Sequence, residues 1–108
     1  MSGEEQNAII KVLQTHSPAT IHLLLIGDSD ARRYASQIAY AIDAAKWRVE
    51  SVNHAMLMPG VFGVHILMSD PDLQVTTVAA FKAAGIPTTV GNRFEPQYPN
   101  AILVGLKP

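Results

Sequence analysis

Residues 20–45 read TIHLLLIGDSDARRYASQIAYAIDAA, and this stretch decides the fold class. Residues 21–26 are apolar except for one histidine and end at Gly27, a pattern typical of a strand that is covered on both faces. After Asp30, apolar residues recur at three- and four-residue spacing, which predicts an amphipathic helix over 30–46. A buried strand, a short polar turn and a helix together form the first part of a β-α-β unit.

The sequence repeats this arrangement further along the chain. Val64–Met68 is a second apolar run, and Ser69–Asp72 follows it as a helix start with proline at the first helical position. The pattern predicts a helix over 73–84, which Gly85 ends as a left-handed cap. The side chains expected to face inward from this helix are Val75, Val78, Ala79 and Phe81.

The rest of the chain supplies one more helix and three more strands. Ser2 and Glu5 have the spacing of a capping box at the start of a helix over 3–16. The remaining predicted strands cover 47–52, 87–91 and 101–106. Strands that alternate with helices indicate an α/β fold. We expect a single α/β domain over 1–108: a five-stranded, mainly parallel (mixed) sheet with three helices, a flavodoxin-like layered sandwich with helix 3–16 packed on the sheet.

Composition excludes several classes of protein. The 108 residues include 8 Lys and Arg against 9 Asp and Glu, so the chain lacks the cationic surplus of a general nucleic-acid binder. No apolar run approaches the roughly 20 residues of a membrane-spanning helix, so no membrane insertion is expected. With no cysteine and no paired histidines, the sequence predicts neither a metal site nor a cofactor. The absence of a signal-peptide pattern predicts a soluble, cytoplasmic domain.

The most suggestive polar residues follow the two buried strands. Asp28, Ser29 and Asp30 follow the first strand, and Asp70 follows the second. Such side chains accept hydrogen bonds from the first backbone N–H groups of a helix, which explains both groups as helix caps. In open α/β sheets, however, ligands settle at the carboxyl ends of strands, where converging carboxylates hold Mg²⁺. Both interpretations remain open at this stage.

The connection over 53–63, NHAMLMPGVFG, is unusually apolar for a segment with proline and glycine. Its large side chains include Met56, Met58 and Phe62. Methionines in a flexible segment form adaptable contact surfaces, so this segment is a candidate site for a protein partner. Alternatively, these side chains fold back and close one end of the core, because small domains rarely leave such patches in water.

Two signalling families resemble parts of this pattern. Asp28 and Asp30, then Asp70, then Lys107-Pro108 resemble the acidic pair, the phosphoacceptor Asp and the Lys-Pro of response-regulator receivers, which implies Mg²⁺ binding. The string from Ile21 to Ile38, followed by Trp47, is similar to the start of TIR-like domains. The chain departs from both families, since only two helices lie between its strands and no glutamate lies in a central helix.

A closer resemblance covers most of residues 20–108. The segments that carry it are Ala44–Trp47, Gly63–Met68, Phe81–Ile86 and Val104–Pro108. They resemble the soluble C-terminal domain of uncharacterised proteobacterial proteins that end in V-G-x-K-P. Lys46 departs from the glycine usual there. The resemblance implies a bacterial protein and a domain that works beside a partner domain, but no chemistry.

Together these observations predict a non-catalytic interaction or sensory domain rather than an enzyme. The candidate binding residues are Asp28, Ser29, Asp30, Asp70, Met56, Met58 and Phe62. The alternative is a Mg²⁺-dependent, receiver-like or TIR-like signalling or enzymatic domain. The sequence leaves the oligomeric state open.

Overall fold

The described part of the chain contains three helices and five strands, in the order that the sequence predicts. The computed structural model describes residues 2–25, 29–53, 63–91 and 100–105. The elements are α1 (Gly3–Leu13), β1 (Thr20–Leu25), α2 (Ser29–Ala44), β2 (Arg48–Asn53), β3 (Val64–Met68), α3 (Pro71–Ala83), β4 (Thr88–Val90) and β5 (Asn100–Val104).

Local chemistry sets the ends of the helices. The capping box of α1 is confirmed: Glu5 N donates to Ser2 Oγ at 3.1 Å, and Ser2 N donates to Glu5 Oε1 at 2.8 Å. The hydrogen bond from the Ser2 backbone N–H, and secondly one from the Ser2 side chain, lower the pKa of the Glu5 carboxyl. The helix ends at Leu13 rather than at residue 16, because Thr15 and His16 donate to carbonyls three residues back and form a tighter turn.

The five strands form one sheet in the order β2-β1-β5-β3-β4. Strand β1 pairs in parallel with β2 and β5, and β3 pairs in parallel with β4. Among the pairings of the described strands, only that of β3 with β5 is antiparallel. The expected fold class, a mainly parallel mixed sheet with three helices, is confirmed.

The helices share one face of this sheet. From the central strand β5, the unit β1-α2-β2 extends toward one side of the sheet and the unit β3-α3-β4 extends toward the other side. The strands of the first unit are antiparallel to those of the second unit. Right-handed crossovers therefore place α2 and α3 on the same face, related by an approximate two-fold axis through β5. Helix α1 contacts both of them, which completes a single helical layer.

Alternate strand residues divide between the two faces. Ile21, Ile66 and Ile102 face the helices and belong to the same core as Ile9 and Phe81. The opposite face, here called the second face, carries Leu24, Leu67, Ala101 and Leu103. These side chains are also buried, although no helix of the described residues lies over them.

The inward face predicted for α3 is partly wrong. Phe81 is buried as expected, but Val75 is 68% exposed, Ala79 is exposed and Val78 is only partly buried. The side chains that point inward are Leu73, Thr77, Ala80 and Phe81. Apolar residues occur all round this helix, so their spacing did not select a face. Thr77 is tolerated inside because its hydroxyl donates to the Leu73 carbonyl at 2.8 Å.

None of the helices in the described ranges has the length and apolar character needed to cross a bilayer.

Helix α3 ends as predicted, with Gly85 at a φ of 73° and Ile86 N donating to the Phe81 carbonyl at 2.9 Å.

Candidate functional site

The Asp70 carboxylate is a helix cap. Its Oδ1 accepts from the backbone N–H of Asp72 at 3.0 Å and of Leu73 at 3.3 Å. Its own N–H donates to Asn100 Oδ1 at 3.4 Å. Asp70 is thus held at the first turn of α3, where negative charge is favoured.

The antiparallel β3–β5 pair separates the two acidic groups of the sequence. The last residue of β1, Leu25, pairs with Val104, whereas the last residue of β3, Met68, pairs with Asn100. Val104 and Asn100 are four positions apart on β5, which corresponds to about 13 Å along an extended strand. The end of β1 and the start of α3 therefore lie at opposite edges of the sheet.

The Mg²⁺ interpretation requires the carboxylates that follow β1 and β3 to lie close together, and this separation does not favour it. Helix α2 begins at Ser29, beyond the end of β1, while Asp70 lies at the other edge. Asp28 and the side chains of Ser29 and Asp30 lie outside the described residues. Within the described ranges, no group of three or more Asp, Glu, His or Cys residues is placed to hold a metal ion.

The edge of the sheet at which β1, β2 and β5 end is here called the carboxyl edge. Leu25 pairs there with both Asn53 and Val104. Strand β3 begins at the same edge, where Gly105 N donates to the Gly63 carbonyl at 2.9 Å. Both ends of the apolar connection, Asn53 and Gly63, are thus at the carboxyl edge, and α2 starts from it. Met56, Met58 and Phe62 themselves lie outside the described residues.

The candidate segments therefore divide into two groups. The turn that leads into α2 and the apolar connection are attached to the carboxyl edge, where ligands of α/β sheets commonly bind. The Ser69–Asp72 segment is attached to the opposite edge. Sequence spacing did not reveal this division, because it depends on the direction of β3 relative to β5.

The second face carries a cluster of three polar side chains, His22, Arg48 and Glu50, that the sequence analysis did not single out. His22 Nε2 lies 3.0 Å from Glu50 Oε2, and Arg48 Nε lies 3.4 Å from Glu50 Oε1. The register of β1 on β2 places His22 directly opposite Glu50. The period-two alternation of Arg48 and Glu50 was the available signal, but only the register shows which residue they meet. The cluster ties the edge strand β2 to β1, and its exposure makes the tie a weak one.

Trp47 is a second feature that sequence reasoning left without a role. Its ring is buried, and the centroid of the His16 ring lies 5.6 Å away at an interplanar angle of 56°. His16 in turn lies with Nδ1 2.7 Å from the Ser17 carbonyl. The pair closes the end of the core where α1 leads into β1, which is a structural role.

Comparison with protein-family models, with curated proteins and with solved structures gives no match. Proposals about function therefore rest on the residues and their geometry.

Proposed function

We propose that this protein is a non-catalytic interaction domain that binds a protein partner at the carboxyl edge through Met56, Met58 and Phe62. The observation that carries the proposal is the attachment of the apolar connection, through Asn53 and Gly63, to the edge at which three parallel strands end. A sensory domain that transmits the state of a neighbouring domain uses the same kind of contact.

The chemistry of the segment supports a protein ligand rather than a small polar one. Met56, Met58 and Phe62 offer large apolar area. Methionine side chains adapt to partners of different shape because they are unbranched and polarizable. The near-neutral charge of the chain gives no electrostatic preference for nucleic acid.

The non-catalytic part of the proposal rests on Asp70. A Mg²⁺-dependent, receiver-like centre of the kind considered above needs Asp70 beside Asp28 and Asp30, and a TIR-like centre needs a glutamate in a central helix, which the sequence lacks. Asp70 instead caps α3 at the edge opposite the end of β1. We accordingly propose no bound cofactor, and from the resemblance to the proteobacterial C-terminal domains we propose a bacterial, cytoplasmic setting.

The direct test is photo-crosslinking in bacterial cells. A photoreactive phenylalanine analogue replaces Met58 in one variant, and replaces the exposed Ser36 of α2 in a matched control. We expect a discrete protein adduct from position 58 and none from position 36. Loss of the adduct when Met56→Ser and Phe62→Ser are added, with unchanged melting temperature, supports the proposal.

The competing interpretation, that the segment closes the core, predicts a different result. Replacing Met56, Met58 and Phe62 by Ser would then destabilise the protein by about 2–5 kcal/mol for each buried side chain. Tyr40→Ser is the control, since Tyr40 is 64% exposed on α2. Large destabilisation without any adduct, or an adduct from position 58 that persists when Met56→Ser and Phe62→Ser are added, refutes the proposed function.

A further inference from the structure

Helix α3 carries apolar side chains on the face turned away from the molecule. It packs on α1, β3 and β4 through the opposite side. Val75, on the outer side, is 68% exposed, and Ala79 and Ala83 are exposed beside it. Val75 is thus the one large apolar side chain of α3 that is exposed, and two alanines lie next to it.

The outer face has the spacing of a helix-pairing seam. Asp72, Val75, Ala79 and Lys82 follow one another at steps of three, four and three residues, and all four are exposed. At 3.6 residues per turn these positions fall within an arc of about 80°. Steps of this kind form the contact stripe of paired helices. The small Ala79 side chain permits close approach of a second helix.

The seam is complementary to itself in the antiparallel orientation. Consider two copies of α3 that face each other across this seam, related by a two-fold axis perpendicular to the helix at the height of Thr77. Asp72 then lies against Lys82 of the second copy, and Val75 lies against Ala79 of the second copy. Each contact then occurs twice, as in any isologous interface. A parallel arrangement would instead place Asp72 on Asp72 and Lys82 on Lys82, which is repulsive. The charges thus select the orientation.

We propose that the protein self-associates through antiparallel packing of α3 against α3 of a second copy. The α3 helix has 13 residues, so the contact is about 20 Å long. Such a contact is smaller than a standard interface of about 1,600 Å², and the dimer is therefore weak and reversible. This contact is independent of the carboxyl edge, so its failure leaves the proposed function unaffected.

Sedimentation of the full chain over a concentration series is the first test. We expect the weight-average mass to rise from monomer toward dimer with increasing concentration. Asp72→Lys places like charges opposite each other twice and should weaken the dimer about tenfold. Lys82→Asp should act alike, and the double variant should restore association.

The restored association cannot arise from a better monomer. The double variant puts a cation at the start and an anion at the end of α3, and both are unfavourable with the helix dipole. Sedimentation as a monomer at all concentrations up to about 1 mM, or no restoration of association in the double variant, overturns the proposal.

Cysteine cross-linking tests the orientation, because the 108 residues include no cysteine. Chains carrying Val75→Cys are mixed with chains carrying Ala79→Cys and oxidised. We expect mixed 75–79 disulfides to form faster than 75–75 or 79–79 disulfides, and faster than disulfides from the exposed control Tyr40→Cys. Equal rates for all pairs would contradict the antiparallel contact.

Discussion

Val64 and Val104 lie opposite each other in the antiparallel pairing of β3 with β5. This contact joins the start of the second β-α-β unit to the last residue of the final strand. It reverses the second unit relative to the first, so that α2 and α3 start at opposite edges of the sheet. The same reversal separates Asp70 from the end of β1.

The separation predicts that Mg²⁺ does not stabilise this protein. A ligand that binds only the native state raises the melting temperature by mass action. Because Asp70 caps α3 about 13 Å along the sheet from the end of β1, we expect equal melting temperatures with and without millimolar Mg²⁺. A Mg²⁺-dependent increase that is abolished by Asp28→Asn, and also by Asp70→Asn, would contradict this expectation.

The Asp70 cap predicts a specific loss of stability. Asp70→Ala removes the acceptor for the N–H groups of Asp72 and Leu73 and should cost about 1 kcal/mol of unfolding free energy. Asp70→Asn keeps an acceptor and should cost less. Urea denaturation measures both.

A control with the opposite sign lies in α2. Asp43 is in the last turn of that helix, where a negative charge is unfavourable. Asp43→Asn should leave the stability equal or slightly raised. Equal destabilisation by Asp70→Asn and Asp70→Ala would show that hydrogen-bond acceptance by Asp70 is not what stabilises α3.

Two valines in strands test how burial alone affects the free energy of unfolding, because the residue type is the same at both positions. Val104 in β5 is 2% exposed and belongs to the helix-facing core, whereas Val90 in β4 is 47% exposed. We expect Val104→Ala to cost about 2 kcal/mol, from the lost apolar burial and the cavity. Val90→Ala should cost less than about 0.5 kcal/mol. Chemical denaturation of both variants decides, and comparable losses would place β4 inside the core.

Tyr34 predicts a dependence of stability on alkaline pH. Partial burial, and secondly the negative charge of Glu5, raise the pKa of the Tyr34 phenol. Because the folded-state pKa is raised, the contribution of Tyr34 to stability is fully present below the unfolded pKa near 10 and is lost as the pH rises through the folded pKa. The unfolding free energy should therefore fall across that range.

Tyr34→Phe should flatten this decline, since no phenol remains to ionise at that position. Tyr40→Phe on the outer side of the same helix keeps Tyr34 and should keep the decline. Denaturant titrations between pH 8 and about pH 11 compare the three proteins. An unchanged slope in Tyr34→Phe would assign the alkaline loss to other groups.

Much of the fold was accessible from local patterns. The apolar run before Gly27, the Ser2–Glu5 capping box and Pro71 after Asp70 each specify an element through contacts within a few residues. Their positions in the structure agree with the predicted ones. The error at α3 has a different cause. Val75 is apolar but exposed, whereas Thr77 is polar but buried, so residue polarity does not indicate which face of α3 lies inside. Only the packing of α3 on α1 and β3 selects its inner face.

For this protein, the sequence alone determined the number, order and type of the described elements, and the capping box at Ser2. It did so because capping and periodicity act over one or two turns of chain. The tertiary structure decided which edges those elements share, since the antiparallel placement of β3 beside β5 depends on pairs that run from Met68–Asn100 to Val64–Val104 and are far apart in the sequence. That pairing puts Asn53 and Gly63, the two ends of the apolar connection, at the carboxyl edge and Asp70 at the opposite edge.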